Sequence, residues 1–163
     1  MDYPMKYQSV FRPGLFAGQI IIVTGGGSGL GRCTAHELAS LGATVALVGR
    51  KIEKLNAVQQ EIMTAGGKAS VHVCDIRDEA LVRSMVSTVL AQHGAIHHLV
   101  NNAGGQFPAL ARNLTLNGWE AVIKKNLTGG FLVSRECYTQ WMEAHGGAIV
   151  NIIADIWGGM PHM

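Results

Sequence analysis

Five glycines crowd the run Thr24-Gly25-Gly26-Gly27-Ser28-Gly29-Leu30-Gly31, directly after the apolar segment Ile20-Ile21-Ile22-Val23. Residues of this kind at this spacing suit the binding of a phosphate. Without a Cβ the backbone approaches a diphosphate closely, and some turn positions need φ > 0. The residues that follow read as a helix, whose first N–H groups have no partner of their own and point at an anion. Gly25, Ser28, Gly29, Leu30 and Gly31 are therefore candidate phosphate-side residues. The spacing G-x-G-x-x-G does not fit, because it would demand glycine at Leu30; Gly25-x-x-x-Gly29-x-Gly31 does. A second feature sits after the next apolar run, Thr44 to Val48, which ends in Gly49-Arg50-Lys51. An acid at that place bonds a ribose 2′-hydroxyl, whereas arginine accommodates a 2′-phosphate through a bidentate fork. With two cations and no acid there, Arg50 is expected to select NADP(H) over NAD(H). Lys51 also suits the solvated start of a helix.

Later apolar runs end in further polar groups. Asp75-Ile76 follows Lys68 to Cys74, and Asn101-Asn102-Ala103-Gly104 follows Ile96 to Val100. A carboxylate at Asp75 can accept from an adenine amino group or cap a helix, and both roles can hold together. Ala103 and Gly104 are small enough to lie against a cofactor, with Asn102 beside them. Among the 7 histidines only His97 and His98 adjoin, and neighbouring strand residues point to opposite faces, so no metal site is expected. The 3 cysteines are widely spaced and suit reduced thiols in a cytosol-like compartment.

These groups need a scaffold. In 163 residues, 48% hydrophobic and 15% charged, one domain with strands covered on both faces is expected. A net charge of +2 without like-charge runs gives no argument for nucleic acid or membrane as partner, and neither is expected. Residues 1–19 read as a polar leader broken by Pro4 and Pro13, and residues 20–163 as the nucleotide-binding domain. Apolar residues recur at helical spacing in Leu30 to Leu41 (Leu30, Ala35, Leu38, Leu41), Lys51 to Thr64 (Ile52, Leu55, Val58, Ile62) and the helix after Asp78 (Leu81, Met85, Val89, Leu90). A longer tract from Leu116 to Ala144 is broken by Gly129-Gly130, where a kink or a close neighbour is expected. Ala148 to Ile153 is the fifth strand. Alternating strands and helices predict an α/β fold, a Rossmann-type doubly wound parallel sheet in the order 3-2-1-4-5, with ligand outside the carboxyl ends of strands 1 and 4.

The turn Thr24 to Gly31, Asp75, the Asn-Asn-Ala-Gly segment and Asn126 together resemble the short-chain dehydrogenase/reductase family. The resemblance runs from about Gly18 to the last residue and implies Asp75 and Ile76 at the adenine, Asn102 to Gly104 beside the nicotinamide ribose, and Asn126 in support of the active-site water and proton relay. The segments 101–107 and 141–153 look like the trans-2-enoyl-CoA and 2,4-dienoyl-CoA reductase branch. Two family features are missing. Ala154 stands where the family has serine, and none of Tyr3, Tyr7 and Tyr138 has lysine four residues on. A sixth strand is also absent, which leaves strand 5 as an uncovered edge and points to a fragment or to some other cover. The expected activity is NADP(H)-dependent reduction of a small-molecule substrate, an α,β-unsaturated acyl-CoA, in the cytoplasm. The alternatives are a 3-oxoacyl or alcohol dehydrogenase of the same family, or a nucleotide-binding fragment without catalysis. Val122, Leu127, Phe131, Leu132 and Trp141 exceed one buried stripe and, with the resemblance, imply a homodimer or homotetramer built on that tract.

Overall fold

The computed structural model describes residues 9–154. Strands β1 (Ile20–Thr24), β2 (Thr44–Gly49), β3 (Lys68–Val73), β4 (His98–Asn101) and β5 (Ala148–Asn151) form one parallel sheet in the order β3-β2-β1-β4-β5, as expected. Between them run α1 (Gly29–Ser40), α2 (Ile52–Thr64), α3 (Glu79–His93), and the tract formed by α4 (Leu116–Ile123), α5 (Gly129–Cys137) and α6 (Glu143–His145).

Apolar residues alternate between two buried faces. Ile21, Val23, Val45 and Leu47 pack with Ala35, Leu55, Val58 and Ile62 of α1 and α2. Ile22, Ala46, Val48 and Leu99 pack on the other face with Val82, Met85, Val86 and Val89 of α3 and Leu132 and Val133 of α5. Burial on both faces is why these strands read as continuous apolar runs. Residues 16 and 17 of the leader are docked: Phe16 packs on the first of these cores and donates its N–H to Leu41 O at 3.0 Å.

Several sequence expectations need correcting. Leu30 is 70% exposed, and the buried face of α1 is Gly31, Ala35 and Ala39. Leu81 and Ile52 are likewise exposed, while Val82 and Val86 take the inward face of α3. Each displaced residue lies in the first turn of its helix. β4 begins at His98 rather than Ile96; just before it His97 meets Ile20 twice, its Nδ1 accepting from Ile20 N and its N–H donating to Ile20 O, each at 2.9 Å. Cys74 lies one residue past β3, and Cys33, Cys74 and Cys137 are all free thiols. Burial pushes the Cys74 thiol up to about 11 and that of Cys137 to about 12.

The tract over 116–145 does not break at Gly129-Gly130. It widens into π turns at Lys124–Thr128 and Tyr138–Met142 instead. Gly129 makes room for a neighbour, since a Cβ there would stand 2.7 Å from Ile76 Cδ1. Arg135 Nη2 pairs with Glu79 at 2.7 Å, which fastens α5 to α3, and Ser87 Oγ donates to Gln140 at 2.8 Å, which fastens the second π turn to α3. β5 pairs with β4 alone among the described residues, and all four of its residues are exposed.

Candidate functional site

The carboxyl end of β1 is joined to that of β4 through one hydroxyl. Thr24 Oγ1, buried, donates to Val100 O (3.3 Å) and accepts from the N–H groups of Asn102 and Ala103 (3.0 Å each). Asn102 returns the tie by donating Nδ2 to Thr24 O at 2.9 Å. Asn102 thus braces the glycine turn as well as lining the space beside it. Gly31 lies under this brace. A Cβ there would be 2.3 Å from Gly25 O and 2.4 Å from Asn102 Nδ2, so only glycine lets α1 start so close to the turn. Gly25 itself has φ +67° and Gly29 φ +54°, the left-handed region.

Ser28 occupies the N-cap position of α1 with extended backbone, yet its side chain makes no cap bond and the first turn carries no acid. The dipole and the N–H groups of that turn are left for an anion. Beside it lies a cleft of about 330 Å³, lined by Gly25, Ser28, Arg50, Asp75, Ile76, Asn102, Ala103 and Gly104 among the residues expected from the sequence. Gly29, Leu30 and Gly31 are outside its lining: the first two are exposed on the opening turn of α1, and Gly31 is buried against the brace.

Asn126 is also outside the lining, but it shapes it. Its Oδ1 accepts from Gly105 N at 2.9 Å and its Nδ2 donates to Gly105 O at 2.8 Å, a two-point clamp on the loop after β4. Asn101 works from below. Its Nδ2 reaches Ser134 Oγ at 2.8 Å and Asn151 Oδ1 at 2.9 Å, tying β4 to α5 and β5.

Asp75 is not the cap of α3; Asp78 is, accepting from Leu81 N at 3.0 Å. Asp75 is instead gripped by Arg77, whose N–H, Nε and Nη2 donate at 3.1, 2.9 and 2.5 Å. These bonds from Arg77 hold the Asp75 carboxyl well below its usual range, at about 2, with Arg50 adding to the same effect. Sequence reasoning missed Arg77, Lys54 and Lys125, all of which line the cleft. Lys54 lies in the first turn of α2, and Arg50 stands before the extended N-cap Lys51, so helical spacing does not relate the two. Arg77 sits two residues after Asp75, the reach of a local Asx turn. Five cations (Arg50, Lys51, Lys54, Arg77 and Lys125) thus face one carboxylate. An uncapped helix start, glycine walls and surplus positive charge fit a ligand carrying several phosphates.

Known proteins with related sequences and structures point the same way. The family model described as short chain dehydrogenase matches residues 19–161. A probable 2,4-dienoyl-CoA reductase of Bacillus subtilis is 36% identical over 140 residues, covering 85% of this chain and 55% of the relative. Among solved structures, a citronellol catabolism dehydrogenase (AtuB) of Pseudomonas aeruginosa PAO1 superposes with a TM-score of 0.91 at 59% identity, covering 96% of this chain and 64% of the other. A metagenomic short-chain oxidoreductase in complex with NADP gives 0.80 at 39% identity, covering 86% and 64%. The chain spans about half the length of the curated relatives it matches. Among the described residues no helix is long and apolar enough to cross a membrane, and no group of histidine, cysteine and carboxylate side chains forms a metal site.

Proposed function

The chain belongs to the short-chain dehydrogenase family, and from that premise we propose that its cleft holds NADP(H) and that the whole protein reduces an α,β-unsaturated acyl-CoA. The observation that carries the cofactor reading is the cationic end of β2, where Arg50, Lys51 and Lys54 line the cleft and no acid stands in for a 2′-hydroxyl partner. Arg50 takes the 2′-phosphate. The open N–H groups after Ser28, on Gly29, Leu30 and Gly31, face the diphosphate. Asp75, held ionised by Arg77, accepts from the adenine amino group, with Ile76 beside the ring. Asn102, Ala103 and Gly104 flank the nicotinamide ribose, and Asn126 keeps their loop in place while supporting the active-site water. The bound cofactor supplies the hydride.

The acyl-CoA assignment is supported by the dienoyl-CoA reductase relatives and by Ala154. A conjugated thioester accepts hydride at carbon and puts charge on the thioester oxygen, so it depends less on a serine hydroxyl at a carbonyl being reduced directly. A second reading, an alcohol dehydrogenase acting on a branched terpenoid alcohol, draws support from the 59% identity to the citronellol catabolism dehydrogenase. Exposed Trp119, Leu127, Phe131 and Tyr138 on the tract over 116–145 support a dimer or tetramer formed there, and we place the protein in the cytoplasm.

The test measures NADPH oxidation with crotonyl-CoA beside NADP⁺ reduction with citronellol, using a chain extended through its natural downstream sequence. Turnover of the thioester alone supports the first reading, and turnover of the alcohol alone replaces it with the second. Residues 1–163 by themselves are expected to bind NADPH and to consume it with crotonyl-CoA no faster than a blank, because a positioned proton donor contributes about 10²–10⁴ in rate. Comparable turnover by the short and extended chains would overturn that assignment.

A further inference from the structure

The β4 side of the cleft carries a cation that the family resemblance does not account for. Lys125 lines the cleft from the π turn Lys124–Thr128, on the far side of β1 from Arg50. A Cβ on Gly105 would come 2.8 Å from Lys125 Nζ, so this glycine leaves the space through which the ammonium passes over the loop. The same loop residue is clamped at both its N–H and its C=O by Asn126. Lys125 and Asn126 thus meet the same loop residue from one π turn, and such turns tend to occur at functional positions.

Lys124, next in the chain, is neutralised by Glu120 at 3.2 Å. Lys125 forms no ion pair among the described residues. Its charge is therefore free for a ligand. On the proposed cofactor reading, the 2′-phosphate lies at Arg50 after β2 and the diphosphate at α1 after β1. The sheet order then leaves the other half of the dinucleotide over the end of β4.

We propose that Lys125 is a binding residue for the nicotinamide-side ribose and phosphate, a second anchor opposite Arg50. The inference rests on the NADP(H) reading of the cleft. A flexible ammonium with three donors suits a phosphate oxygen and ribose hydroxyls at once. The two anchors hold the dinucleotide at both ends, so that loss of one leaves binding of the other half intact.

The test compares three probes, NADPH, adenosine 2′,5′-bisphosphate and coenzyme A, titrated against the parent chain and the variants Lys125→Ala, Lys125→Gln and Lys125→Arg, with circular dichroism and melting temperature recorded for each. The expected result is a 5- to 20-fold loss of NADPH affinity in Lys125→Ala and Lys125→Gln, with adenosine 2′,5′-bisphosphate held within twofold and Lys125→Arg within about threefold of the parent. Unchanged NADPH affinity in Lys125→Ala, or equal losses for NADPH and the bisphosphate, would overturn the role of Lys125 and leave the cofactor reading standing. A loss confined to coenzyme A would reassign the lysine to the substrate and also overturn the proposal. A parent chain that binds neither NADPH nor the bisphosphate would remove the cofactor reading and this inference with it.

Discussion

The two flanks of the sheet are finished in opposite ways. On the β2 side Val45, Ala46, Leu47 and Val48 are fully buried, with α2 and α1 sealing one face, and the cleft above them is ringed by backbone and cations. On the β5 side every strand residue is exposed, with Ile149 at 38% and Val150 at 52%. On the proposed NADP(H) reading the adenosine half of the site lies within the described residues, whereas the exposed apolar residues of β5 form the kind of surface that a partner covers. Arg50 and Asp75 lie on the closed side, while the glycine turn is braced as well from β4, by Asn102.

The largest effect should come from the tightest point of the closed side. Gly31→Ala forces a methyl into Gly25 O and Asn102 Nδ2, and is expected to lower stability by about 3 kcal/mol or more. Thermal melting checks this; a change under about 0.5 kcal/mol would mean that α1 and the turn are not locked together. Next, Leu47→Ala on β2 should cost about 2–5 kcal/mol, against less than about 1 kcal/mol for Ile149→Ala on β5. Equal costs in denaturant titration would erase the contrast between the flanks.

His72 gives the closed side a pH signature. Its ring, buried beside Ser70 Oγ (2.9 Å) and His93, has its pKa pulled by burial from 6.5 to about 4. The folded state therefore resists a proton that the unfolded chain accepts. This contribution to stability is complete above about 6.5 and fades as the pH falls from there towards 4. Melting temperatures between those limits should drop in the parent and drop less in His72→Gln. The smallest change expected is from Arg77→Ala, which frees an ion pair that is partly exposed. NADPH affinity should weaken about two- to fivefold through a less firmly held Asp75, in keeping with the modest worth of such pairs.

What could be read from the sequence follows the same division. Strand order, the glycine turn and the cations after β2 were legible, because buried parallel strands announce themselves as apolar runs and the glycines mark the turn. The first turns of the helices were not: Leu30, Ile52 and Leu81 obey the helical period, but the period cannot tell which apolar residues of a first turn meet the sheet. Asp75 illustrates a different limit. Its acid was recognised at the right strand end, yet the partner that fixes it, Arg77, and the true cap, Asp78, are separable only by backbone geometry. Lys125 escaped notice because its place over the loop depends on Gly105, a residue distant in the sequence.

The central claim is that the end of β2 selects the 2′-phosphate. NADPH and NADH should each be titrated against the parent chain and Arg50→Ala by calorimetry. The account predicts that the parent prefers NADPH and that Arg50→Ala loses about 1.5–3 kcal/mol for NADPH while NADH binding stays nearly unchanged. Equal losses for the two nucleotides, or a parent chain that binds both alike, would contradict it.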